Sequence, residues 1–188
     1  MLLSFAQWLQ ATAFFRDLRE SWYVYPTVMS LHLLGIAVFG GMVLLTNMRL
    51  LGWSMRSRSV TDVVGQLRVP KRVGLIIIAT CGILMLGSKA EEYYYNIFFR
   101  LKITLLALMF AHGWYFRRSV YYNTEAIDKA AAIPRNAKVA ASLSLVLWTA
   151  IACAGRGIGY IDPPLEKLHA KVMHHVAGPP AQSETPRR

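Results

Sequence analysis

The stretch WYVYPTVMSLHLLGIAVFGGMVLLTNM, residues Trp22–Met48, decides the fold. A helix needs about 20 mainly apolar residues to cross a ~30 Å hydrocarbon core, and this run exceeds that length. Three further apolar stretches follow, at Val73–Ser88, Phe98–Phe116 and Val139–Ile161. In lipid a backbone must satisfy its own polar groups, so each stretch reads as a helix. The expected fold is all-α and integral to the membrane: a four-helix up-down transmembrane bundle. Three regions follow from this reading. They are an amphipathic helix in the outer interface at residues 1–21, the four-span bundle at residues 22–161, and a polar, partly disordered tail at residues 162–188.

Charge distribution orients the bundle. The chain of 188 residues is 55% hydrophobic, and only 16% of its residues are charged, yet its formal net charge is +11. The linker Arg49–Arg72 carries Arg49, Arg56, Arg58, Arg68, Lys71 and Arg72 against Asp62 alone. The linker Arg117–Lys138 carries Arg117, Arg118, Lys129, Arg135 and Lys138 against Glu125 and Asp128. Basic residues in short loops stay cytoplasmic, so both linkers are expected inside and both termini outside. This is the pattern of a multi-pass membrane protein, with the lipid bilayer as its first partner. A nucleic-acid binder is excluded, because its arginines would need a soluble scaffold to display them.

Before the first span, Leu2, Phe5, Trp8, Leu9, Phe15 and Leu18 recur at helical spacing, which suits a helix lying at headgroup depth. Pro26 fits the first turn of the first span, where its missing N–H is not needed. Two pairs of small residues, Ala37 with Gly41 and Gly155 with Gly159, are expected to let neighbouring helices approach closely. Cys81 and Cys153 have no paired spacing and read as small packing residues.

Ionisable side chains inside a membrane are the default candidates for function. His32 and His112 lie in spans one and three, which are diagonal in an up-down bundle and both face its core. Two neutral imidazoles across an apolar core are what a b-type haem requires as iron ligands. Gly35, one turn from His32, leaves room for a flat macrocycle. At 1.5 Å per residue, His32 lies about 15 Å and His112 about 21 Å from the outer boundary. As structural residues, the same imidazoles would bond to a neighbouring helix, with Thr80, Thr149 and Ser144 as available partners. Lys102 and Arg156 fall just inside the outer boundary and suit a haem propionate or a quinone carbonyl. Around them, Lys89, Glu91 and Glu92 form an outer charged rim. In the tail, His169, His174 and His175 lack the spacing of a helical metal site.

Three segments carry a resemblance: Leu31-His32-Leu33-Leu34-Gly35, Phe99-Arg100-Leu101-Lys102 and Ala154-Gly155-Arg156-Gly157-Ile158-Gly159-Tyr160. Together they resemble a family of small bacterial four-span membrane proteins of unassigned function, over roughly Phe5–Ile161. The layout is also similar, more loosely, to the copper resistance D membrane domain and to di-histidine membrane cytochromes b. On that resemblance His32, Lys102 and Arg156 match motif positions, and His112 does not. The expected function is a small electron-transfer subunit that binds a b-type haem (haem b) or a quinone within the bundle. Its cofactor residues would be His32, His112, Lys102, Arg156 and Gly35, with His32 and His112 as metal ligands. A periplasmic or membrane redox partner and a homo-oligomer fit this role. Two other functions are compatible with the residues: transport of copper or a small solute through His32, Met29 and Met109, and a non-catalytic membrane anchor or assembly subunit.

Overall fold

The computed structural model describes residues 1–130 and 132–160, so the tail with His169, His174 and His175 lies outside the described residues. All regular structure among them is helical: α1 (Leu2–Ala11), α2 (Ala13–Glu20), α3 (Val24–Leu51), α4 (Val60–Ser88), α5 (Ala90–Tyr95), α6 (Ile97–Phe116), α7 (Thr124–Lys129) and α8 (Arg135–Ile158). A π-helical turn, Arg117–Tyr121, continues α6. Helices α3, α4, α6 and α8 are each long and apolar enough to cross a membrane.

Helix ends are set by local chemistry rather than by where hydropathy falls off. Helix α4 begins well before its apolar run, because its first turn is capped twice. Ser59 accepts the Asp62 N–H at 3.0 Å, and the Asp128 carboxylate accepts the N–H groups of Val60 and Thr61 at 2.6 and 2.9 Å. These bonds satisfy amides that a helix start leaves orphaned. Pro70 then sits inside α4, where it removes one backbone bond without ending the helix. Helix α3 stops at Gly52, whose φ of +76° is the left-handed closing conformation that favours glycine. Asn96 starts α6 by accepting the N–H groups of Phe98 and Phe99 at 3.0 and 3.2 Å. Its amide also donates to the Ile158 carbonyl at 3.3 Å, tying the start of α6 to the end of α8.

The expected single N-terminal helix is two helices, broken at Thr12, which is extended (φ −60°, ψ 134°). Both are tied to the corner between α4 and α5. Gln7 donates to Glu91 at 3.0 Å, and the Glu91 N–H donates to Gln10 at 3.0 Å. Arg19 donates to the Ser88 carbonyl at 3.3 Å. Phe15 lies so close over Gly87 that a Cβ there would overlap its ring.

Helix α3 packs along α4 and also along α8, and α8 packs along α6. In each seam the partners run antiparallel: Gly35 meets Ile78 and Phe39 meets Gly74 between α3 and α4, while Gly40 meets Trp148 between α3 and α8. Among the described residues α4 and α6 share no comparable seam. The glycines that permit these approaches differ from the expected ones. Gly41 has nothing within 4 Å of a built Cβ, whereas a Cβ on Gly40 would stand 2.6 Å from Trp148 Nε1. At the other end of α8, Gly157 rather than the Gly155 and Gly159 pair gives room to the Phe98 ring.

The bundle is apolar on its outside. Leu34, Ile76, Ile83 and Phe110 are more than 60% exposed, whereas His32, Asn47, His112 and Ser144 are under 10%. Lipid tails solvate leucine as well as a protein core does, so such helices place polar groups where they can find partners. Cys81 is buried, but Cys153 is exposed on the outer face of α8 and does not pack inside. The most tightly closed packing lies at the arginine-rich end, where Leu50, Val60, Val120 and Ala137 meet.

Candidate functional site

Two polar niches occupy the bundle interior, at different heights. The upper one is built on His32 of α3. Its ring lies over Gly82 of α4, with Cε1 3.4 Å from where a Cβ would stand. The Ile78 carbonyl faces the ring, and Lys102 of α6 is near enough for its charge to act on it. Nδ1 of His32 is buried without a hydrogen-bond partner among the described residues. Lys102 in turn lies over Gly155 of α8, its Nζ 3.7 Å from a built Cβ. Each ionisable side chain thus occupies space that a glycine on the neighbouring helix leaves.

His112 belongs to the other niche. Its Nε2 lies 3.0 Å from the Ala140 carbonyl, which fixes Nε2 as the protonated nitrogen. Its ring packs on Phe116 at 5.1 Å and on Tyr121 at 6.5 Å, measured between centroids. Along α6, His112 lies about 15 Å from Lys102 at 1.5 Å per residue. The structure therefore joins His32 with Lys102 and His112 with Tyr121, and does not set the two imidazoles face to face. Neither uses the expected hydroxyls: Thr80 and Thr149 are exposed, and Ser144 bonds elsewhere.

The remaining expected site residues have other neighbours. Beside Gly35 the space is filled by span two, since a Cβ would stand 3.0 Å from Ile78 and 3.2 Å from Ile77. That glycine brings two helices together rather than opening a slot for a macrocycle. Arg156 is exposed and lies over the Tyr160 ring at 5.3 Å, donating to its hydroxyl at 3.0 Å. Lys89 pairs with Glu92 at 3.1 Å and stands 5.8 Å from the Tyr25 ring centre. Tyr93 stacks on Phe99, and its burial, then the neighbouring Tyr25 and Glu92, push its hydroxyl well above the usual tyrosine range. The outer rim therefore ties helix ends together. Met29, one turn before His32 on α3, is exposed.

The lower niche contains residues that the sequence reading did not take as a site. Lys71 of α4 donates to Thr46 Oγ1 of α3 at 2.6 Å. Asn47 of α3 donates to Ser144 of α8 at 3.0 Å. Burial pushes the Tyr121 hydroxyl above the usual range, and the neighbouring Ser144 opposes that shift. The π-helical turn is what brings Tyr121 inward, and such turns recur at functional sites. An amide within the first apolar run was the available signal, because lipid penalises Asn there as it does histidine.

The interior groups that can carry charge near neutral pH are basic: His32, Lys71, Lys102 and His112. The four apolar stretches contain no Asp or Glu. Such an interior suits a ligand that carries or gains negative charge. Among the described residues, no three His, Cys, Asp or Glu side chains converge as a metal site.

Fold and interior together define a multi-pass helical membrane protein with basic groups held inside its bundle. The chain belongs to the family of unknown function DUF6644, which matches residues 5–161. No curated protein and no solved structure matches it.

Proposed function

We propose that this chain is a small membrane electron-transfer subunit that holds a quinone headgroup at the His32–Lys102 niche. The observation that carries the reading is the buried, unpartnered Nδ1 of His32 with a lysine charge beside it. With the ring's N–H turned to the Ile78 carbonyl, the free Nδ1 accepts from the hydroxyl of a reduced quinone. An ammonium next to it stabilises the negative charge the ring gains on reduction, most strongly where water is excluded. Among the described residues α4 and α6 share no packed seam, and in this reading the ring enters from lipid on that side. A haem with His32 as its axial ligand is the second reading, favoured by the same unpartnered nitrogen. Bis-histidine ligation is not part of it, because His112 is committed to Ala140 about three turns away.

In this proposal the four helices cross a bacterial inner membrane as an up-down bundle. Both arginine-rich linkers are cytoplasmic, and α1 and α2 lie in the outer interface with exposed Trp8 and Phe14 at headgroup depth. The electron partner is another membrane or periplasmic redox protein, and a homo-oligomer is compatible with the exposed apolar faces. Copper transport is not proposed, because an all-basic interior disfavours a cation.

The test is purification in lipid nanodiscs, followed by quinone extraction, an optical spectrum and titration with a short-chain ubiquinone. The expected result is saturable binding that weakens at least about tenfold in His32→Ala and in Lys102→Met, the loss of one charge-assisted hydrogen bond. A Soret band abolished by His32→Ala would replace the quinone with haem. A colourless protein with no saturable quinone response would overturn the electron-transfer reading.

A further inference from the structure

Beneath the His32 niche, α3, α4, α8 and the π-helical turn line a half-open cavity of about 160 Å³, formed by Val43, Thr46, Asn47, Lys71, Tyr121 and Ser144. Its hydrogen-bond inventory is definite enough to describe what would fill it. Thr46 spends its hydroxyl hydrogen on the Met42 carbonyl at 2.8 Å and accepts from Lys71 at 2.6 Å. An ammonium has three donors, so Lys71 keeps two for a ligand.

Asn47 spends both amide hydrogens, on the Val43 carbonyl at 2.9 Å and on Ser144 Oγ at 3.0 Å. Because the Val43 carbonyl can only accept, the orientation of this amide is fixed. Its Oδ1 is left as an acceptor with no partner among the described residues, on a side chain only 2% exposed. Ser144 accepts from Asn47, so its own hydrogen is available to the Tyr121 oxygen. Tyr121 lines the same space, and its O–H is a further donor.

The residues around the cavity therefore supply a cation, a hydroxyl donor and a buried carbonyl acceptor without a partner among the described residues. A buried acceptor left unpaired costs about 1–3 kcal/mol, so the fitting ligand supplies a donor as well as a charge. We infer that this cavity is a binding site for a small hydroxycarboxylate: its carboxylate on Lys71 and Tyr121, its hydroxyl donating to Asn47 Oδ1. Size agrees, because a cavity of about 150 Å³ admits a molecule as large as benzene. Charge agrees too, since exposed Arg68 and Arg72 flank Lys71 on α4 and raise the local concentration of anions. This site is separate from the His32 niche and does not depend on the quinone proposal.

The full chain in nanodiscs is titrated with glycolate, acetate, chloride and inorganic phosphate, following heat release and the thermal unfolding midpoint. Glycolate is expected to bind saturably and raise the midpoint. Acetate, which has the charge but not the donor, is expected to bind several-fold more weakly. Lys71→Met abolishes the response and Lys71→Arg keeps it. Asn47→Ala brings glycolate and acetate to equal affinity, and His32→Ala leaves glycolate binding unchanged. Equal binding of glycolate and acetate by the unmodified protein, tighter binding of phosphate, or no saturable response to any anion each overturns the inference. These comparisons need no variant, so they stand even where a substitution prevents folding. Glycolate bound undiminished by a helical, monodisperse Lys71→Met protein overturns it as well.

Discussion

Asp128 shows how a single side chain sets a helix boundary here. Partial desolvation works to raise its carboxyl pKa. The amide bonds from Thr61 and Val60, the Thr61 hydroxyl and the Arg49 charge outweigh that effect and hold it below the ordinary value. A depressed carboxyl stabilises the folded state fully above its unfolded pKa of about 3.9 and loses that contribution as pH falls through the lower folded value. Thermal unfolding followed by tryptophan fluorescence is therefore expected to lose stability below about pH 4. Asp128→Asn should be less stable at pH 7 and should show a flatter dependence in that acidic window. A variant with the unmodified protein's full pH profile would show that Asp128 does not hold the start of α4. Asn96 is the equivalent residue for α6. Asn96→Ala should lower stability by about 1–2 kcal/mol, the usual loss for a capping side chain. Denaturation in mixed micelles reads this directly.

At the scale of elements, the seams are set by glycines opposite bulky side chains. Gly40 beneath Trp148 is the tightest of those between α3 and α8, with indole atoms at 2.6 and 3.0 Å from a built Cβ. Gly40→Ala should therefore separate α3 from α8, at about 1–3 kcal/mol, the usual range for overpacking. Gly41→Ala, one residue on, faces open space and should be close to neutral. Equal losses in the two variants, measured by the same denaturation, would contradict this seam. Sequence spacing identified small residues in α3 but chose Ala37 and Gly41 as the contact pair. Lipid and helix core are both apolar, so the sequence carries little record of which helix face meets a neighbour. Rotation of α3 about its axis settles it, and the Trp148 ring shows where that rotation stopped.

Across the whole molecule, the two arginine-rich linkers meet at one end of the bundle, where Asp128 of α7 reaches the start of α4. The N-terminal helices meet the α4–α5 corner at the other. A cysteine at Ser57 should therefore react with an impermeant thiol reagent only from the cytoplasmic face of sealed vesicles. A cysteine at Glu20 should react only from the opposite face. Labelling of both from one side would overturn the orientation.

The amino-acid sequence alone determined four membrane-length helices, and His32 and Lys102 as polar residues inside them. Those conclusions rest on hydropathy and on the length of chain a bilayer demands, and both are local properties. Tertiary structure decided which polar groups share a niche. Lys71 read as one more inner-loop charge until α4 extended back through Pro70 and carried it alongside Thr46. His112 read as a partner for His32 until the vertical offset between helices placed it on Ala140. Axial shift and rotation of packed helices follow from side chains far apart in the chain, so no local stretch encodes them.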